Sequence, residues 1–261
     1  MKILIITYDF LPDTIGAGMV AYLYANHLTE LGYDVSVLSK EYSNPVKNTK
    51  FHYLQVGNSK LGGHFWLYDW GKYLKNMNLD QYDTIILNQS NLPVVFGKYF
   101  GLSVLSKIIV LIQGLEVEWL YRNKKMSSAF IHSIFRFEYY HRKCLLNCRK
   151  IVSVSEFHKQ KVITAANLEC IKDKFEVVYT GIEKNLFYST MSSFRKENDL
   201  ENKEILVSVS RMVKQKGYLE MFSVFKRVVK RDSSFRWVII GDGSYLEEFK
   251  REVQLIDYLS M

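Results

Sequence analysis

Proline is scarce in this chain, three residues in 261, and cysteine is no more frequent. Cys144, Cys148 and Cys170 are odd in number and form no CxxC pair, so neither a disulfide framework nor a zinc-binding spacing is present. Cys144 and Cys148 fall four apart on one helical face and read as small core residues. No apolar run approaches the roughly 18 residues a membrane-spanning helix needs. The longest, residues 104–112, is broken by Lys107. The opening MKILII is cut off by Asp9 and Pro12 before a signal-type hydrophobic region can form, so it reads as a first strand and the expected location is the cytoplasm. The dinucleotide fingerprint GxGxxG is missing, which argues against dehydrogenase-type NAD binding. Helix-turn-helix, zinc-ligand and aromatic RNP patterns are missing too, so nucleic acid is not an expected partner. No repeat of 20–50 residues is visible.

What is present is an ordinary globular composition, 48% hydrophobic and 24% charged, long enough for one large domain or two smaller ones. Helical and strand patterns alternate throughout, the signature of an α/β protein with a parallel sheet. Residues 205–243, ILVSVSRMVKQKGYLEMFSVFKRVVKRDSSFRWVIIGDG, organise the rest. Residues 205–208 and 237–240 are short β-branched runs. Between them Leu219, Phe222, Val224, Phe225 and Val228 recur at helical spacing. A βαβ unit of this kind brings both strand ends to one sheet edge, where ligands of open α/β sheets bind. Arg211, Lys216 and Gly217 follow the first strand, and Gly241-Asp242-Gly243 follow the second. Two cations beside a glycine loop suit a diphosphate; a solvated basic loop is the plainer alternative.

The N-terminal half repeats this logic. Residues 2–7 and 34–39 read as buried strands around a helix whose apolar face carries Val20, Leu23, Tyr24, His27, Leu28 and Leu31, with Gly32 as its stop. Gly16 and Gly18 precede that helix and either present N–H groups to a phosphate or simply permit a turn. Further strands are expected at 50–56, 82–88, 107–112, 151–154 and 175–179, with Ser155 capping a helix. Residues 61–70 (LGGHFWLYDW) read as a flap over an apolar or sugar ligand or as a packed Ω-loop. Residues 130–150 read as a basic amphipathic helix. Arg122, Lys124, Lys125, Arg136, Arg142, Lys143, Arg149 and Lys150 face Glu138 alone, which accounts for nearly all of the net charge of +8. Such a cluster points to an anionic membrane surface or nucleic acid, or is a solvated helix face. Residues 182–203 lack a period and read as a linker between domains spanning 1–181 and 204–261.

Taken in order, MKILIITYDFLPDTIGAG, HLTELGYDVSVLS, IVSVSEFHKQKVI, FEVVYTGIEKNLF and LVSVSRMVKQKGYLEMFSVF followed by VIIGDGSYLEEF resemble the family 4 retaining glycosyltransferases of the GT-B fold. The ordered set, above all SR-x4-KG followed by GDG, is more specific than any single piece. The resemblance implies two Rossmann-like domains with the active site in the cleft between them. The first is an acceptor-side domain with a parallel sheet; the second, incomplete here, binds a nucleotide-sugar donor. It implies that Arg211 and Lys216 neutralise the donor diphosphate, that Gly16 and Gly18 touch the donor phosphate and sugar, and that Gly241, Asp242 and Gly243 line the nucleotide side. Asp9 and Glu116 would bind acceptor hydroxyls. The chain has no DxD sequence, so neither a metal nor another cofactor is expected. The basic segment would hold the protein peripherally on the inner face of a membrane, where lipid-linked or saccharide acceptors for polysaccharide or glycolipid assembly are found.

Two departures stand out. Many relatives carry histidine where this chain has Gln113, the catalytic-site position; glutamine can hydrogen-bond a sugar but cannot change charge near neutral pH. Relatives also continue for about a further hundred residues with a Glu-x7-Glu motif. The expectation is therefore an N-terminal portion, inactive by itself. The alternatives are an acceptor- or membrane-docking subunit, completed by a chain carrying the missing donor half, and a decayed remnant.

Overall fold

The structure, a computed structural model, describes residues 1–12, 16–57, 66–114, 116–121, 136–182, 188 and 192–259. The chain divides into two compact units, Met1–Ile182 and Glu183–Met261.

The first unit is built on seven parallel strands: β1 (Lys2–Ile6), β2 (Asp34–Lys40), β3 (His52–Val56), β4 (Thr84–Leu87), β5 (Ile108–Ile112), β6 (Lys150–Ser153) and β7 (Phe175–Val177). Their spatial order is β3-β2-β1-β4-β5-β6-β7. The order reverses between β1 and β4, which pair in parallel with Ile3 opposite Thr84 and Ile6 opposite Leu87. That reversal is the switch point at which loops leave to opposite faces and open a crevice.

Both faces of the sheet are covered, which is why the strands are continuously apolar rather than alternating. Ile3, Ile5, Val35 and Val37 pack on one face with Ala21 and Ala25 of α1 (Gly16–Glu30). Leu4, Ile6, Leu38, Ile85 and Leu87 pack on the other, in one cluster with Trp70 and Leu74 of α2 (Trp66–Asn76) and Val95 and Phe96 of α3 (Leu92–Tyr99). A short α4 (Leu102–Leu105) and α5 (Glu116–Tyr121) flank β5 in the chain. The unit also contains α6 (Phe137–Asn147) and α7 (Glu156–Ala166), which contribute Cys144, Leu145, Val162 and Ile163 to the same core. Ser155 caps α7 as expected, its hydroxyl accepting from the His158 N–H at 3.1 Å.

Several expectations need correction. The buried face of α1 is Gly18, Ala21 and Ala25, whereas His27 and Leu31 are exposed. Small residues let the helix axis approach the sheet, and the larger apolar residues flank the contact. Residues 61–65 lie outside the described residues, but 66–70 begin a helix rather than a loop. Its apolar residues Leu67, Trp70 and Leu74 recur every three or four positions and are buried. Such burial contributes roughly 1.5–3 kcal/mol for each large side chain. The helix expected over 130–150 is α6 alone within the described residues, because Lys150 already starts β6. The chain between 88 and 107, not assigned above, forms α3 and α4.

The second unit holds a short α8 (Phe194–Glu197), then β8 (Glu204–Val209), α9 (Tyr218–Arg231), β9 (Phe235–Ile240) and α10 (Leu246–Leu259). β8 and β9 pair in parallel, Leu206 opposite Trp237 and Val209 opposite Ile240, the βαβ arrangement expected. Trp237 and Ile239 pack toward a core of Met212, Tyr218, Tyr245 and Phe249. Tyr218, fully buried, anchors α9, and Phe222 and Phe225 pack beside Phe249 and Trp237 as expected, while Val224 is exposed. On the opposite face, Val207, Val209 and Ile240 remain more than half exposed.

Candidate functional site

At the switch point of the first unit, polar groups close the strands. Thr7 and Asn88, both fully buried, follow β1 and β4, and Gln113 follows β5. Asn88 donates from Nδ2 to the Ala17 carbonyl in the first turn of α1 at 2.7 Å and to Thr7 Oγ1 at 3.2 Å. Thr7 Oγ1 donates onward to the Asp9 carbonyl at 2.7 Å. Gln113 Nε2 donates to Asn88 Oδ1 at 2.6 Å. Asn88 was not singled out from the sequence. Its signal is a polar residue ending the apolar run TIIL.

Asp9, expected to bind hydroxyls, is held by side chains that follow β4 and end β2. Its carboxylate accepts from Lys40 Nζ at 3.1 Å and from Gln89 Nε2 at 3.0 Å, and Lys40 lies over the Tyr8 and Tyr42 rings at 5.1 and 5.0 Å. Gly18 is buried in a close contact: a Cβ there would lie 3.1 Å from the Asp9 carbonyl oxygen and the Phe10 Cα. Gly16, by contrast, opens α1, is exposed, and has open space where a Cβ would be. The N-terminus of this 15-residue helix carries the positive end of its dipole. Glu116 opens α5; its side chain lies outside the described residues. His158 Nε2 donates to the Gly114 carbonyl at 2.9 Å, so α7 fixes the turn that follows Gln113.

In the second unit the two loops after the strands are zipped together. The Ser210 N–H donates to the Ile240 carbonyl at 3.2 Å, Met212 to the Asp242 carbonyl at 2.9 Å and Tyr245 to the Met212 carbonyl at 3.0 Å. A Cβ on Gly241 would lie 1.9 Å from the Ser210 oxygen, and one on Gly243 would lie 2.3 Å from the Met212 oxygen. Their φ of +152° and +159° also disfavours any other residue. Both glycines are therefore demanded by this close approach. Asp242 turns inward locally, its carboxylate accepting from the Gly243 N–H at 2.6 Å. Arg211 is held between the two zipped positions, exposed, and Lys216 lies beside the Gly217 cap of α9. Lys214 is paired with Glu248 at 2.6 Å. The Arg211 and Lys216 side chains make no ion pair or hydrogen bond among the described residues, which places two cations without a described partner at the carboxyl edge of β8.

The described members of the basic cluster differ in their contacts. Arg122, Lys124 and Lys125 lie outside the described residues. Arg149 donates to Thr84 Oγ1 at 3.2 Å and to the Asp83 carbonyl at 3.4 Å, and Lys150 pairs with Glu176 at 2.5 Å. Both are thereby tied to the amino ends of strands. Lys143 reaches the Phe100 carbonyl at 3.4 Å. Arg142 is half-buried, and Arg136 is exposed and stacked on the Tyr139 ring at 4.3 Å.

Residues 190–258 match the sequence profile described as Glycosyl transferases group 1. No curated protein matches the chain. Among solved structures, Anabaena Alr3699/HepE in complex with UDP-glucose is similar over 100% of this chain and 66% of its own, with a TM-score of 0.68 at 15% identity. A glycosyltransferase from Rickettsia africae is similar over 99% of this chain and 65% of its own, with a TM-score of 0.61 at 19% identity. The catalytic domain of starch synthase IV from Arabidopsis thaliana, bound to ADP and acarbose, has a TM-score of 0.65 at 10% identity, over 99% of this chain and 71% of its own. The chain thus spans just under two thirds of the HepE and Rickettsia chains. Its fold is that of the GT-B glycosyltransferases, and its second unit carries the segment that matches glycosyl transferases group 1.

Proposed function

We propose that this chain belongs to a family 4 glycosyltransferase that moves a sugar, with retention, from a nucleotide-sugar donor to a saccharide or lipid-linked acceptor in polysaccharide or glycolipid assembly. The observation that carries the reading is the pair of cations, Arg211 and Lys216, whose side chains have no partner among the described residues, at the carboxyl edge of β8 beside the cap of α9. A leaving nucleoside diphosphate gains negative charge as the bond to the sugar breaks. Fixed cations and a helix N-terminus stabilise that charge without a metal ion or other cofactor. The zipped loops around Gly241 and Gly243 hold Arg211 in place before a ligand arrives, which limits the ordering cost of binding. In the first unit, the N-terminus of α1 at Gly16 and the Gln113 amide are the groups suited to phosphate and sugar hydroxyls. The unit boundary after Ile182 supports an acceptor-side domain ending near residue 181, with the stretch expected as a linker falling in the second unit.

The exposed Val207, Val209 and Ile240 favour a second reading, in which further polypeptide completes the donor half. Parallel sheets are ordinarily covered on both faces, and this one is covered on one.

The test is nucleotide-sugar affinity. Arg211→Ala is expected to weaken UDP-glucose binding, measured by calorimetry on the full chain, by about 1.5–3 kcal/mol, the value of a hydrogen bond to a charged group. An unchanged affinity, in a wild type that does bind, sinks the diphosphate assignment.

A further inference from the structure

We propose that Asn88 is the positioning residue of the first unit's site: it fixes the direction of the Gln113 amide, so that Gln113 Oε1 is the atom offered to a ligand. The argument rests on hydrogen-bond direction. The Ala17 oxygen is a backbone carbonyl and can only accept, so the Asn88 atom 2.7 Å from it must be the nitrogen. Thr7 Oγ1 spends its one hydrogen on the Asp9 carbonyl at 2.7 Å, so it too accepts from Asn88. Both Nδ2 hydrogens are then committed, and the Asn88 amide cannot turn over. Its Oδ1 is left facing Gln113, 2.6 Å away, and the Gln113 atom there must be the donor. Gln113 Oε1 consequently points away from Asn88 and accepts nothing from the described residues.

Burial gives this relay its force. Asn88 and Thr7 are fully buried, so a reversed amide would leave donors and acceptors facing their own kind without water to relieve them. One residue therefore ties together three strand ends and the first turn of α1 at the switch point. The chemistry offered after β5 is a fixed neutral acceptor, which takes a hydroxyl hydrogen. That ligand class rests on the sugar reading given above; the positioning role does not.

The test places a carboxyl where the amide is. In Gln113→Glu the new group faces Asn88 Oδ1 and must keep its proton to donate there. Its pKa, followed by carbon NMR in the full chain, should rise by about one unit or more above the ordinary glutamate value near 4.3. In Asn88→Ala/Gln113→Glu the facing acceptor is gone and the pKa should fall back toward that value. The charged pair Asp9 and Lys40, and the His158 ring on the Gly114 carbonyl, are common to both variants. The difference therefore isolates Asn88. Equal pKa values in the two variants overturn the proposal. If the double variant does not fold, the wild type still decides. One of the two Gln113 Nε2 protons should be shifted downfield and exchange slowly, and two fast-exchanging protons at the shifts of a solvated glutamine amide overturn the proposal. A coupled pKa together with Gln113 resonances unmoved by UDP-glucose keeps the positioning role and rejects the sugar reading alone.

Discussion

His141 couples the stability of the first unit to pH through one buried ring. It lies on α6 with no exposed surface, its Nε2–H donating to the Ser90 carbonyl at 2.8 Å and its Nδ1 accepting from Tyr121 at 3.0 Å. Burial pushes its pKa down to about 4, against an ordinary value of 6.5, with the Ser90 bond opposing. The unfolded chain therefore binds a proton between those values that the folded chain refuses, so stability falls as pH drops from about 6.5 toward 4. Urea unfolding should show about 2 kcal/mol lost between pH 7 and pH 5 that is absent in His141→Gln. An identical pH slope in the variant would assign the acid sensitivity elsewhere. The cysteines act by the same physics. Burial raises the thiol pKa of Cys144 and brings that of Cys148 to about 11, so both stay protonated as core side chains, although Cys148 is the extended cap of α6 and does not share its helical face. Their core role was expected from the sequence. That of His141 was not, because its partners Ser90 and Tyr121 are 51 and 20 residues away.

Among elements, α3 and α6 approach each other closely in the first unit. Gly97 lies where a Cβ would sit 1.8 Å from the Tyr140 carbonyl oxygen, a backbone atom that cannot step aside. Gly97→Ala must push the two helices apart, with an expected loss of about 1–3 kcal/mol in thermal or urea unfolding. A neutral result would mean that the helices part easily. The sequence FGKYF names the glycine but not its neighbour. The same limit explains α1, where apolar periodicity selected Leu31 and His27 while the contact with the sheet selected Gly18, Ala21 and Ala25. Periodicity reports which residues are apolar; packing distance decides which of them can touch. Strand positions suffered less. A parallel strand covered on both faces carries an apolar run that is its own marker, and all seven runs of the first unit lie in the sheet within a few residues of their expected bounds.

For the whole molecule, the net charge of +8 is concentrated in one stretch of chain, and the described cations of that stretch have different partners. Arg149 and Lys150 are held at strand ends by Asp83, Thr84 and Glu176, whereas Arg136 stays exposed on the ring of Tyr139, itself 53% exposed. No described helix is long and apolar enough to cross a membrane. If the anionic-surface reading is correct, the protein should sediment with anionic vesicles at low salt and be released at high salt. Arg136→Ser should weaken that partition by about fivefold, the equivalent of about 1 kcal/mol for one cation near the surface. Arg149→Gln should leave it nearly unchanged. Equal partition onto neutral vesicles would remove the electrostatic basis of this reading.

The amino-acid sequence by itself determined the α/β class, the strand runs, the βαβ unit of the second half and the residues at its loop ends. Each of these depends on local periodicity or on a few adjacent residue types. Tertiary structure alone decided that Gly241 and Gly243 answer to the carbonyls of Ser210 and Met212, that Asp9 is occupied by Lys40 and Gln89, and that Asn88 directs Gln113. Those facts come from hydrogen bonds and close approaches between segments as far as 81 residues apart. Strand order sets such distances, and no local pattern encodes them.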